Sequence, residues 1–87
     1  MDRKPNVLIV DDMAVNLQLL GEMLRDAGYE IMVATNGPDA LEAAKMSPMP
    51  EIVLLDIVMP GMDGYQVCRS LKADPRTSHI PVIFISG

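Results

Sequence analysis

Four short apolar, β-branched runs recur along the chain, and the stretches between them carry helical periodicity. Residues 6–10, 30–34, 51–56 and 82–85 each read as a strand. Val7-Leu8-Ile9-Val10 has no polar alternation, the pattern of a strand buried on both faces, and Val82-Ile83-Phe84-Ile85 is a fourth apolar run. Residues 14–27 place Leu17, Leu20, Leu24 and Ala27 at helical spacing, with Met23 beside them and Gly28 as the stop. Asn36-Gly37-Pro38-Asp39 opens a second helix whose apolar face is Ala40, Leu41, Ala43, Ala44 and Met46, and Ser47-Pro48-Met49-Pro50 ends it. After the Pro60-Gly61 turn, Asp63 caps a third helix that turns Val67, Cys68 and Leu71 inward until Asp74-Pro75 breaks it. Strict strand–helix alternation predicts an α/β fold: a doubly wound parallel sheet, four strands and three helices, with helices on both faces.

Open sheets of this kind bind ligands beyond the carboxyl ends of their strands. Here those ends are acidic. The first strand runs into Asp11-Asp12, the third into Asp56, and the fourth into Ser86. Carboxylates are rarely buried unpaired. Two like charges about 4 Å apart repel by on the order of 4 kcal/mol at an effective dielectric of about 20. Such a cluster persists only if a cation neutralises it or its pKa values rise. An all-oxygen donor set of one or two carboxylates suits Mg²⁺, which keeps several waters and accepts phosphate.

A length of 87 residues predicts one small domain, 1–87, with little core to spare. Seven basic against 12 acidic residues give a net charge of −5 without a basic stripe, which argues against nucleic-acid binding by this segment. Aromatics make up only 3%, so the eight methionines are expected to fill the core. Cys68 is the lone cysteine, a core or boundary residue on the third helix, and a reducing cytoplasm fits. The apolar stretch after Arg3-Lys4 ends at Asp11, too short for a signal peptide, and no segment has the length of a membrane span.

Val7-Leu8-Ile9-Val10-Asp11-Asp12, Leu54-Leu55-Asp56, Met59-Pro60-Gly61-Met62-Asp63-Gly64 and Pro81-Val82-Ile83-Phe84-Ile85-Ser86 together resemble the receiver domain of bacterial two-component response regulators. The resemblance implies a flavodoxin-like strand order, 2-1-3-4-5. It implies that Asp56 accepts a phosphoryl group from a phosphohistidine on a sensor histidine kinase or phosphotransfer protein, as a stoichiometric acceptor in a phosphorelay rather than an enzyme. It also implies Mg²⁺ as cofactor, ligated directly by Asp12 and Asp56, by Asp11 mainly through water, and by the Val58 backbone carbonyl. Ser86, thirty residues after Asp56, takes the place of the switch hydroxyl. An apolar Val58, two residues past the acceptor, implies a long-lived phosphoryl group, because it cannot hydrogen-bond the hydrolytic water. The family's partner surface on the first helix would include Asn16, Leu17 and Leu20, the two leucines also being candidates for the core.

The family further has a fifth strand, preceded by a lysine that pairs with the phosphate, and a fifth helix. The sequence stops at Gly87, and Lys4, Lys45 and Lys72 occupy none of the corresponding positions. The expectation is a C-terminally incomplete receiver whose fourth strand is a bare edge, open to homodimerisation by strand pairing or exchange.

Blander readings exist for single residues. Asp11-Asp12 alone suits a helix start, and Asp56 alone a strand-end turn. Gly61 and Gly64 read as ordinary loop glycines, and His79, Arg69 and Lys72 as solvated groups. A Mg²⁺-dependent phosphatase with an aspartyl nucleophile would need an acid/base Asp where Val58 stands. A flavin- or nucleotide-binding domain would need Ser, Thr or Gly after the first strand, where Asp11-Asp12 would repel phosphate. A degenerate receiver acting as a phosphorylation-independent interaction module is the remaining alternative.

Overall fold

The computed structural model describes residues 4–85. Its elements are β1 (Asn6–Val10), α1 (Ala14–Asp26), β2 (Glu30–Ala34), α2 (Gly37–Ala44), β3 (Ile52–Asp56), α3 (Gly64–Ala73) and β4 (Val82–Ile85). The strands form one parallel sheet in the order β2-β1-β3-β4. β3 starts at Ile52 rather than Glu51, whose N–H instead donates to the Asn6 carbonyl.

Side chains alternate across a strand, so each strand serves two cores. Val7 and Ile9 face α1 and pack with Leu17, Leu20 and Leu24. Leu8, Val10, Val53 and Leu55 face the other way, against Ala40, Ala44, Val67 and Leu71 of α2 and α3. This is why β1 reads as a continuous apolar run: all five of its residues are buried.

The helix ends follow their local chemistry. Asn36 caps α2, its Oδ1 accepting the Asp39 N–H at 2.8 Å, with Pro38 in the first turn. Asp63 and Gln66 form a reciprocal capping box on α3. Gly28 leaves α1 at φ +100°, a conformation that residues with a Cβ rarely adopt.

Several side chains sit where periodicity did not place them. α2 stops at Ala44, so the helical phase ends before Met46, which is exposed. Ala27 is the C-cap of α1 and also exposed. Of the methionines, Met59 is buried and Met32, Met49 and Met62 are packed against the same core, but Met13, Met23 and Met46 are exposed. Lys72 is not simply solvated: its Nζ donates to the Ser78 and Ile80 carbonyls, tying α3 to the approach of β4.

Thr77 lies in the turn after α3 with 1% of its surface exposed. Its Oγ1 donates to the Leu71 carbonyl at 2.7 Å, satisfying one of the orphan acceptors at the end of α3. Thr77→Val is expected to remove about 1–2 kcal/mol of stability, because a buried carbonyl loses its partner without a change of shape. A lowered urea midpoint at constant slope checks this; an unchanged midpoint refutes it.

Candidate metal and phosphoacceptor site

The register of the sheet builds the site. Val10 pairs with Leu55 across β1 and β3, and the next step of that register sets Asp11 beside Asp56. Asp56 in turn pairs with Ile85 of β4. One carboxylate oxygen from each of Asp11, Asp12 and Asp56 lies within 4.8 Å of the others. Ser86, the remaining residue expected here, lies outside the described residues.

The three carboxylates are held differently. Asp11 is 3% exposed and both its oxygens accept protein hydrogen bonds: Oδ1 from the Met13 N–H at 2.9 Å and Oδ2 from Asn16 Nδ2 at 3.1 Å. Asp56 is 5% exposed and its Oδ1 accepts the Val58 N–H at 3.3 Å. Asp12 is exposed and accepts no hydrogen bond from the described residues. Asp12, Met13, Asn16, Asp56 and Val58 line a cavity of about 400 Å³ that opens over these groups.

Burial raises the Asp56 pKa above the ordinary carboxylate value, and the charges of Asp11 and Asp12 push the same way. The backbone N–H groups of Val58 and Ile57 partly oppose them. The described residues thus gather negative charge around Asp56 without bringing a side-chain cation to it. Lys45 pairs with Glu42, and Lys72 is held by the Ser78 and Ile80 carbonyls. A hard divalent cation fits this donor set: all oxygens, one nearly unencumbered carboxylate, one buried carboxylate and one already satisfied by hydrogen bonds.

The loop from β3 to α3 frames Asp56. Val58 is 78% exposed at the cavity rim, whereas Met59 turns into the core. Gly64 is more than a loop glycine. A Cβ there would run into the Asp56 carbonyl oxygen and lie 2.8 Å from Ile57 Cα. Its N–H donates to the Ile57 carbonyl at 2.9 Å, seating α3 directly against the end of β3. Gly37 makes a similar allowance for Met62 of the same loop, whose Sδ would lie 2.6 Å from an added Cβ.

Sequence reasoning brought Asp11, Asp12, Asp56 and Val58 to one place and missed how they are supported. It read Asn16 only as part of a partner surface, and the structure adds that its amide lies on Asp11. Leu17 and Leu20 belong to the core beneath α1. The large apolar residues that α1 does expose are Val15, Leu19 and Met23, one stripe at four-residue spacing. Helical phase carried that signal, since residues offset from the buried set must face outward.

Comparison with known proteins points the same way as the geometry. The family model for the response regulator receiver domain matches residues 7–87. The response regulator PleD of Caulobacter vibrioides is 50% identical over 81 residues, covering 93% of this chain but only 18% of PleD. Protein PilH of Pseudomonas aeruginosa is 42% identical over 80 residues, covering 92% of this chain and 65% of PilH. Among solved structures, the N-terminal domain of a response regulator receiver protein from Methanoculleus marisnigri superposes with a TM-score of 0.87 at 39% identity, over 91% of this chain and 63% of that one. A receiver protein from Pseudomonas putida gives 0.91 at 26% identity, over all of this chain and 71% of its own. A parallel sheet in this order, aspartates at the ends of β1 and β3, and a family match running from Val7 onward have one reading: the chain belongs to the response regulator receiver domains, the signalling modules of phosphorelays.

Proposed function

We propose that Asp56 is the phosphoacceptor, and that it takes its phosphoryl group from a phosphohistidine on a sensor histidine kinase or phosphotransfer protein in a Mg²⁺-dependent step. The observation that carries this reading is the convergence of Asp11, Asp12 and buried Asp56 within 4.8 Å. In the transfer, an Asp56 oxygen forms a bond to phosphorus as the P–N bond to histidine breaks, and the departing imidazole keeps the electron pair and gains a proton. Mg²⁺, held directly by Asp12 and Asp56, through water by Asp11, and by the Val58 carbonyl, would offset the charge on acceptor and phosphoryl oxygens. Asp11 fits the water-mediated role because its oxygens are already engaged. The open cavity gives the phosphoryl group room to enter, and Ser86 supplies the switch hydroxyl.

The chain acts once per transfer rather than turning over external substrates. An aspartyl phosphatase needs an acid/base group where Val58 projects into solvent. For the same reason the phosphoryl group is long-lived, and Val58→Asn shortens its lifetime. The α1 stripe of Val15, Leu19 and Met23 is the surface we assign to the kinase or phosphotransfer partner. A cytoplasmic location belongs to this reading; none of the described helices is long and apolar enough to cross a membrane.

Mg²⁺ titration followed by NMR tests the central claim. Saturable shifts at the amides of Asp12, Asp56 and Val58 are expected. Amides that do not move would leave an inert interaction module as the better description.

A further inference from the structure

Asn16 stands in the first turns of α1, yet its amide reaches back to the loop before the helix. Nδ2 donates to Asp11 Oδ2 at 3.1 Å while the Met13 N–H donates to Oδ1 at 2.9 Å. The two donors hold the carboxylate at both ends, one from the chain two residues on and one from a helix side chain. Asn16 also lines the cavity beside Asp12, Asp56 and Val58. It therefore touches the site without supplying a charge to it.

We infer that Asn16 is a positioning residue for the cation site: it fixes the orientation of Asp11, and so sets how tightly the pocket holds Mg²⁺. This rests on the reading of the three aspartates as a Mg²⁺ site. A carboxylate acting through water must present its oxygens at a fixed angle, since a rotated group breaks the water bridge. Met13 alone leaves rotation about the Cβ–Cγ bond of Asp11 free, because a single hydrogen bond defines a pivot rather than a plane. The Asn16 amide supplies the second point. An amide does so without adding a fourth carboxylate to a pocket already crowded with negative charge. Partners behind the ligands of a metal site commonly change its affinity by 10–100-fold when removed.

The test is a double-mutant cycle read on Mg²⁺ affinity, with Mg²⁺ alone as the probe and NMR shifts at Asp12 and Val58 as the readout. Asn16→Ala is expected to weaken Mg²⁺ about tenfold and to lower the metal-free urea midpoint modestly, because the buried Asp11 Oδ2 loses its donor. Asn16→Gln, which keeps the donor, should recover part of the loss. In an Asp11→Asn background the further change Asn16→Ala should have almost no effect. In wild-type protein the Asn16 side-chain amide resonances should themselves shift on Mg²⁺ addition. If wild type binds Mg²⁺ and Asn16→Ala binds it equally well, or loses the same factor with and without Asp11, the positioning role is overturned while the metal site stands. If wild type binds no Mg²⁺ at all, the site assignment fails first and this inference falls with it.

Discussion

Phosphoryl incorporation is expected to vanish in Asp56→Asn, while the metal-free protein becomes harder to unfold. The two effects have separate causes in one side chain. An amide oxygen is too weak a nucleophile to displace an imidazole from phosphorus, so the acceptor is gone, not merely slowed. Meanwhile the substitution removes a charge that the fold holds at a loss. Asp56 is buried beside two further carboxylates, and its pKa is raised, first by desolvation and then by Asp11 and Asp12. A raised carboxylate pKa means that the folded state binds the proton more readily than the unfolded chain. Its destabilisation is therefore fully present at pH 7. It is relieved as pH falls through the folded-state pKa, and disappears below the ordinary value of 3.8. Asparagine can still accept the Val58 N–H but carries no charge. At pH 7 without Mg²⁺ the variant should gain on the order of 1–2 kcal/mol, after screening by water and salt of repulsions that are a few kcal/mol each unscreened. For a domain of this size that is a rise in Tm of roughly 5–15 °C. The gain should shrink as pH approaches 4, and also as Mg²⁺ is added, because wild type alone is then stabilised by the ion. Intact-mass analysis after incubation with Mg²⁺ and acetyl phosphate or a phosphorylated kinase reads the first effect, and thermal melts with and without Mg²⁺ read the second. Full incorporation in the variant would remove Asp56 as the acceptor, and identical melts would show that Asp56 bears no uncompensated charge.

How much of this was legible beforehand depended on whether a residue's role is set along the chain or across it. β1 was legible because burial on both faces forces an unbroken apolar run, Val7 to Val10. The site was legible because β1 and β3 each end in aspartate, and a parallel sheet brings those ends together. The helix cap was legible at Asp63, and the turn that opens α2 at Asn36, where the interactions span only three residues. Roles set across the chain were not. Thr77 looks like any polar turn residue until its hydroxyl is found on the Leu71 carbonyl. Lys72 looks like a solvated charge until β4 arrives beneath it. The exposed and buried methionines share one chemistry: Met46 is exposed because α2 stops at Ala44, and Met59 is buried because the β3–α3 loop turns it into the core. Gly64 is the sharpest case, because what it accommodates is a stretch of backbone.

Gly64→Ala is therefore expected to cost about 3 kcal/mol or more, a large share of the roughly 5–15 kcal/mol that holds a small domain together. The obstacle is not conformational, since the position has no positive φ. It is steric. The new methyl would overlap the Asp56 carbonyl oxygen, at the strand end that β4 holds, and press on the adjoining Ile57 Cα. A flexible side chain could swing aside; a strand end paired to β4 cannot. To make room, α3 must move away from β3, stretching the 2.9 Å bond from the Gly64 N–H to Ile57 and unseating Val67 and Leu71 from the core. The same movement would drag the Asp56 backbone, so any variant protein that still folds should also bind Mg²⁺ more weakly. Gly61→Ala is the matched control. Nothing lies within 4 Å of its would-be Cβ, but φ is +75°, so only the left-handed conformation is penalised, by about 1 kcal/mol. Urea denaturation of the two variants side by side distinguishes the causes. A Gly64 variant no less stable than the Gly61 one would mean that α3 does not press against the Asp56 backbone.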